Sequence, residues 1–439
     1  MQARKQGPTP SRRVGARAVR RVLLLATVLF AGCGGSGSGA DADNPLATVA
    51  PRAAPAVPPV AVTVEEVTAQ LSNPWSLAFL PDGSMLVTEK AGSLRRVSAT
   101  GQVSAPLAGM PAVAAAGQGG LLDVVPSPDF ATNRTIFFTF AEPAGNGNSR
   151  TAVGRAELGD TAVTNLTIIH RQTPARPGPI HFGSRLVFDR AGYLFVTLGD
   201  RGEGDRAQDL STTQGKVVRI FADGSIPPDN PAFAQAGTVP GIWSYGHRNP
   251  QGAALNPASG ELWISEHGPQ GGDEINRILA GRNYGWPRIT HGRDYGSGLP
   301  LGEGTTAPDV EPSLHYWVPV SVAPAGMAFY TGDKLAGWQG SLLVGTLAGR
   351  MLVQLTLQGD SVTGENRHLQ SFGERFRDVR QGPDGYPYLL TDSGRLLRVV
   401  PQEGPLRIDG GPTGTAGDTW RHVRLPGATK YPGEGPLDR

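Results

Sequence analysis

The apolar and polar positions of the chain fall into one recurring pattern. A short apolar run, a polar turn rich in Asp, Pro and Gly, and a second apolar run appear as WSLAFLPDGSMLVTE, LLDVVPSPDFATNRTIFFTF, SRLVFDRAGYLFVTLGD, GAALNPASGELWISE, GMAFYTGDKLAGWQGSLLVGT and RDVRQGPDGYPYLLTD. Each version predicts a β-hairpin. The turns are anchored at Asp82, Asp129, Asp189, Pro257, Asp333 and Asp384, separated by 47, 60, 68, 76 and 51 residues. That spacing leaves room for one four-stranded antiparallel sheet and its loops per repeat. Such a sheet cannot bury both faces alone, so neighbours stack, and closing the ring protects the edges. The expected fold is all-β, a six-bladed β-propeller with four-stranded blades, in which VTVEEV (62–67) completes the last blade and latches the ring. A pair of β-sandwiches is the rival arrangement, and the regularity of the repeat disfavours it.

Composition agrees. The 439 residues include 61 Gly and 38 Pro and show no sustained helical periodicity. Seven basic residues precede the apolar run VLLLATVLFAG (22–32), which is shorter than the ~20 residues a membrane span takes. Residues 1–32 therefore read as an export signal. LFAGC, ending at Cys33, resembles a bacterial lipobox, with a plain signal peptide as the alternative. The chain is expected to be exported and periplasmic, with a lipid anchor on Cys33 as its only membrane attachment. Residues 33–61 read as a flexible tether, 62–401 as the propeller and 402–439 as a Gly/Pro-rich extension. Cys33 is the only cysteine, so the body has no disulfide, thiolate metal site or cysteine nucleophile. Removal of seven basic and no acidic residues takes the formal charge from +2 to −5, and no basic stripe remains to suggest nucleic acid.

Aligning the repeats on their turns places polar residues at one shared offset, at the start of each first strand. These are Trp75, Gln118, His181, Arg248, Asn249, Arg375 and Arg377. The second strands return to the same end and finish at Glu89, Asp200, Glu266 and Asp392. In a propeller that end opens on the axis, so these groups face one funnel. A lone His at a strand start is commonly structural, and the shared offset is what favours a site. Three arginines at one mouth need an anion. In SEHGPQGGDEINRILAGRNYGWP (265–287), rigid carbonyls at Gly268 and Pro269 with carboxylates at Asp273 and Glu274 suit a hard cation such as Ca²⁺, or else form a solvated acidic turn.

The motifs GQGGLLDV (117–124), HFGSRLVFD (181–189), GDRGEGDRAQDL (199–210), YGHRNPQG (245–252), EHGPQGGDEIN (266–276), RNYGWP (282–287), APAGMAFY (323–330) and RFRDVRQGPDG (375–385) together resemble the soluble quinoprotein sugar dehydrogenases, the glucose/sorbosone dehydrogenase group. The resemblance covers residues 62–400. It implies oxidation of aldoses to lactones with pyrroloquinoline quinone (PQQ) and Ca²⁺. His181 would be the general base, oriented by Asp200, with Arg248 near the reactive carbonyl of the cofactor. Arg248, Asn249, Arg375, Arg377 and Gln118 would hold the cofactor. The Gly268 and Pro269 carbonyls would hold one calcium, and Glu274 with the Tyr284 carbonyl a second. Ala348 stands where many members carry a lysine, with Arg350 two residues on, and Ile180 stands where some carry a polar residue. Glucose specificity is therefore not implied. A calcium-dependent propeller lactonase, using Glu89, Asn249 and Glu266, and a non-catalytic binding module are the competing readings. The sugar, the periplasmic electron acceptor and the oligomeric state, a homodimer being one option, are not legible in the chain.

Overall fold

In the computed structural model residues 58–402 are described; the export signal, Cys33, most of the tether and the extension after Gln402 lie outside them. All six expected hairpins form, and each supplies the two inner strands of a separate sheet: Pro74–Phe79 with Met85–Glu89, Leu121–Pro126 with Thr135–Pro143, Gly183–Phe188 with Leu194–Leu198, Pro250–Leu255 with Leu262–Glu266, Pro324–Phe329 with Leu342–Thr346, and Phe376–Gln381 with Pro387–Thr391. Each innermost strand packs against the next, and Phe376–Gln381 packs against Pro74–Phe79 to close the six-bladed ring. The strand Val62–Thr68 pairs antiparallel with Leu396–Pro401 in the sixth blade, so the ring is latched by its own first strand. Val60, just before the expected boundary, donates to the Ala336 carbonyl and accepts from the Trp338 indole.

The first blade departs from the expected four strands. It has three, Pro74–Phe79, Met85–Glu89 and Ser93–Val97, and the fourth position holds only the isolated bridge Val97–Val103. The segment that should fill it, QVSAPLAGMPAVAAAG, carries two prolines and lacks the alternating β-branched residues of a ladder. No helix among the described residues is long and apolar enough to cross a membrane.

Six apolar clusters lie one in each gap between neighbouring blades, from Leu86 and Phe138 in the first gap to Leu77 and Leu390 in the last. Stability thus rests on packing repeated around the ring, with no covalent link in the body. A Leu or Phe in such a cluster is worth roughly 1.5–3 kcal/mol of burial.

The same strands build the funnel. In every hairpin the register slips within the first few residues of the inner strand. Bulges of this kind re-aim side chains next to sites. Trp75 and Arg377, two of the residues at the shared offset, each fall in such a slip, as does Gln251. Deeper on the axis Arg185 is 1% exposed, with its Nη1 3.3 Å from Asp123 and 3.0 Å from Asp378. Arg380 reaches the same two carboxylates at 3.1 Å each. This ionic waist is tied to the floor of the funnel, because Arg185 also donates to the carbonyls of Gln251 (2.7 Å) and Arg377 (3.2 Å).

Candidate active site

His181 sits just before the strand Gly183–Phe188, with its backbone in the left-handed region (φ 53°). That conformation is unfavourable for a non-glycine residue and persists where surrounding contacts impose it. Gln118 Oε1 accepts the His181 N–H at 2.8 Å. Gly199 lies directly against the His181 carbonyl, where a Cβ would overlap the oxygen. Gly199→Ala is expected to destabilise the protein by about 1–3 kcal/mol through this overlap and to cut turnover further by displacing the histidine. Thermal melts and activity per folded molecule separate the two effects.

The His181 ring is paired with Asp200. Nδ1 lies 2.7 Å from Asp200 Oδ1, which also accepts the Gly202 N–H at 2.7 Å, while Oδ2 accepts the Trp286 indole N–H at 2.8 Å. Burial alone would raise the Asp200 pKa, but His181 and Arg248 hold it below the usual carboxylate value. Asp200 is thus ionised, His181 Nδ1 carries the hydrogen, and Nε2 presents its lone pair. Burial and then Arg248 push the His181 pKa down, and the Asp200 carboxylate only partly opposes them. A neutral imidazole is the form that accepts a proton. The acid limb of kcat/KM is therefore expected below the ordinary histidine value of about 6.5, with activity held down to that lower pH. A pH–rate profile of the free enzyme checks it.

The arginines converge as the shared offset predicts, though an internal anion meets two of them. Asp392 accepts from Arg375 Nε and Arg377 Nε, each at 2.8 Å. Burial works to raise the Asp392 pKa, yet Arg377 and Arg375 bring it to about 2. Arg248 is anchored by its Nη1 on the His267 carbonyl (3.1 Å) and by its backbone N–H on Glu266 (2.8 Å), with its guanidinium 5.3 Å from the Trp286 ring. Asn249 Oδ1 accepts from the Gly183 N–H (3.2 Å) and Gln251 Nε2 (3.1 Å). Two donors, Arg248 Nε and Asn249 Nδ2, are buried with no partner. A buried donor left unmatched is costly, so this pair calls for an acceptor-rich ligand.

Around the expected metal residues the structure forms a small cavity of about 20 Å³, lined by Arg248, Glu266, Gly268, Glu274 and Tyr284 among others. One water or ion fits such a space. Burial and the neighbouring Glu266 push Glu274 up to about 8. Pro269 is absent from the lining, and its carbonyl accepts from Ser321 Oγ at 3.2 Å. Asp273 proves to be a scaffold: it accepts the backbone N–H groups of Gly268, Val322 and Ala323 at 2.8–2.9 Å, and burial pushes it up to about 6. Among the described residues no three His, Cys, Asp or Glu side chains are grouped to hold a metal.

Glu89, a member of the lactonase set, is engaged by the Ser72 N–H and by Arg95 of the first blade. Glu266 belongs to a relay in which Ser244 Oγ is 2.9 Å from His247 Nε2 and His247 Nδ1 is 3.1 Å from Glu266. The spacing is that of a hydrolytic triad, but Ser244 and His247 are 0% exposed and the hydroxyl meets no substrate. Ala348 is exposed, and Arg350 donates to the Gly373 carbonyl at 3.0 Å.

The sequence pattern did not single out Arg185, Arg201, Trp286 or His267. Arg185 carried a signal, a charge inside an apolar strand, which is rarely buried unless paired. His267 shares the funnel, but burial and then Arg248 and Arg377 push its pKa well below the ordinary value and no carboxylate opposes them. Of the two histidines, only His181 has an anionic partner for the charge it gains.

The fold is that of a propeller enzyme, and a histidine–carboxylate pair stands among arginines at one mouth of its axis. The chain belongs to the glucose/sorbosone dehydrogenase family, whose model matches residues 71–398. It is 48% identical over 350 residues to the aldose sugar dehydrogenase YliI of Escherichia coli, covering 78% of this chain and 94% of that one. The crystal structure of the soluble aldose sugar dehydrogenase of Escherichia coli, in its apo-form, superposes with a TM-score of 0.75 over 78% of this chain and all of that chain. A PQQ-bound aldose sugar dehydrogenase from Streptomyces coelicolor, 28% identical, superposes with a TM-score of 0.64 over 77% of this chain and 98% of that one.

Proposed function

We propose that this protein oxidises aldose sugars at the anomeric carbon, giving the lactone, with PQQ bound in the funnel and Ca²⁺ beside it. The observation that carries the reading is the pair of buried unmatched donors, Arg248 Nε and Asn249 Nδ2, next to the His181–Asp200 pair. Arg375 and Arg377 face one internal carboxylate, Asp392, so this part of the mouth has two cations to one anion and suits an anionic cofactor. Arg248, Asn249, Arg375 and Arg377 would hold PQQ, with Gln118 alongside. The Gly268 and Pro269 carbonyls would hold the calcium beside it, and Glu274 with the Tyr284 carbonyl a second one. When bound, PQQ supplies the two-electron acceptor for the hydride, and Ca²⁺ polarises it. The chain's own part is acid–base and electrostatic. His181 Nε2 takes the proton of the anomeric hydroxyl. Asp200 keeps the ring in the right tautomer and stabilises the imidazolium that forms. Arg248, held with its guanidinium 5.3 Å from the Trp286 ring, would offset negative charge that develops on the cofactor.

Ile180 before the base supports a broad aldose range over a glucose-specific site. Electrons would pass to an external periplasmic acceptor, with the enzyme tethered through Cys33 and able to form a homodimer. The test uses the purified cofactor-free protein, titrated with PQQ and Ca²⁺ while aldose-dependent reduction of a dye is followed. Saturable activity that needs both additions is expected. Absence of PQQ binding would overturn the reading.

A further inference from the structure

The GDRG turn carries a second residue aimed at His181. Arg201 is 3% exposed, and its own backbone is left-handed (φ 59°), as is that of His181. Its N–H meets the His181 carbonyl at 3.3 Å. Its guanidinium then grips the segment that leads to His181. Nε donates to the Ile180 carbonyl at 2.9 Å, Nη1 to the Ser149 carbonyl at 2.8 Å, and Nη2 to the Gly178 carbonyl and, at 3.2 Å, to Ser149 Oγ. The Cζ of the group lies 3.8 Å from the centroid of the Phe182 ring, over its face. Residues 178, 180 and 182 are thus in contact with the Arg201 side chain and residue 181 with its backbone, and the side chain ties this segment to the strand Ser149–Leu158 of the second blade.

We propose that Arg201 is a positioning residue for the reaction, holding the His181 segment in its left-handed conformation so that the ring stays where it can accept a proton. This rests on the reading of His181 as the base. The planar fork satisfies three carbonyls and a hydroxyl while its face covers an aromatic ring. A lysine offers one tetrahedral ammonium and cannot do both. The charged and titratable groups that face His181 are Asp200 and Arg201 from the loop after Leu194–Leu198, Arg248 from the segment before Pro250–Leu255, and His267 from the turn after Leu262–Glu266. Of these, only Asp200 favours the protonated ring. Arg248 and Arg201 both disfavour it, so loss of Arg201 raises the His181 midpoint.

The experiment compares Arg201→Lys, Arg201→Gln and the milder Phe182→Leu in two readouts. One is steady-state turnover with PQQ, Ca²⁺ and an aldose. The other is the titration of the His181 ring by NMR in the cofactor-free protein. Arg201→Lys keeps the charge and is expected to lower kcat by roughly 10–100-fold from misplacement of the base, with KM near the wild-type value and the His181 midpoint little changed. Arg201→Gln is expected to lower kcat similarly and to move the His181 midpoint up. Phe182→Leu leaves the hydrogen bonds in place and is expected to give a smaller loss of kcat. Folded variants that lose only thermal stability, with wild-type kcat and His181 titration, would overturn the proposal. Should the wild type oxidise no aldose while the ring titration still shifts in Arg201→Gln, the functional reading falls and the action of Arg201 on His181 stands.

Discussion

Replacing His181 with asparagine is expected to lower kcat by roughly 10²–10⁴, the range a positioned general base contributes. Asparagine is the informative choice, because it tolerates the left-handed backbone at this position better than most residues and so isolates the chemistry from the strain. It has no basic nitrogen, and the anomeric proton then has no acceptor among the funnel's arginines, all of which are donors. PQQ affinity should stay within a few-fold of wild type, because the residues proposed to hold the cofactor do not act through the imidazole. Dye-linked turnover together with a spectroscopic PQQ titration checks both parts. Activity within tenfold of wild type would mean that another group takes the proton. His267 is poorly placed for that, since it lacks an anionic partner and Arg248 and Arg377 disfavour its cation. A uniform loss of cofactor binding and turnover would instead mark His181 as part of the cradle.

The ring and most of the mouth could be read from the chain because both repeat. Turn chemistry at Asp82, Asp189 and Asp384 marked the hairpins, and the common offset brought His181, Arg248 and Arg377 to one end. The register slip at the start of each inner strand, which holds Trp75 and Arg377, is a backbone feature that side-chain pattern does not display. Pairings were harder to foresee. Asp392 stood at the same mouth as Arg375 and Arg377, but whether it would meet them or face solvent depends on the turn between two strands. Asp273 looked like a ligand because it is a carboxylate in a Gly/Pro-rich turn, whereas burial turned it into a cap for three backbone N–H groups. Arg201 was hidden within a motif whose aspartate drew attention, and its partners at Ser149 and Gly178 are 52 and 23 residues away. The missing fourth strand of the first blade was legible in principle, in the prolines of the segment that would have formed it.

The waist and the funnel are one structure. Arg185 touches the carbonyls of Gln251 and Arg377, both at register slips, while its charge is shared between Asp123 and Asp378. The same carboxylates take Arg380, so residues of four blades fix the floor on which the funnel groups stand. A propeller without disulfides can hold a precise site in this way, because the floor moves only if several blades move together.

Asp200→Asn is expected to cost kcat about 10²–10⁴-fold, an order comparable to loss of the base itself. The carboxylate serves three donors, with His181 Nδ1–H and Gly202 N–H on Oδ1 and the Trp286 indole on Oδ2. An amide cannot match all three. With its NH₂ toward Trp286, two donors face each other across a buried contact. With its NH₂ toward His181, the Gly202 N–H loses its acceptor and the ring is driven to the opposite tautomer, which puts the hydrogen on Nε2 where the lone pair is needed. In either orientation the imidazolium formed during turnover loses its only counter-charge while Arg248 and Arg201 remain beside it. The acid limb of the pH profile should therefore move further down as kcat falls, because removal of Asp200 takes away what favours the protonated ring. Trp286→Phe is the control. It removes the indole donor from Oδ2 and leaves the charge, so it is expected to cost far less and to leave the acid limb close to its wild-type position. Equal losses in the two variants, with no movement of the acid limb in Asp200→Asn, would show that the hydrogen bonds of Asp200 matter and its charge does not.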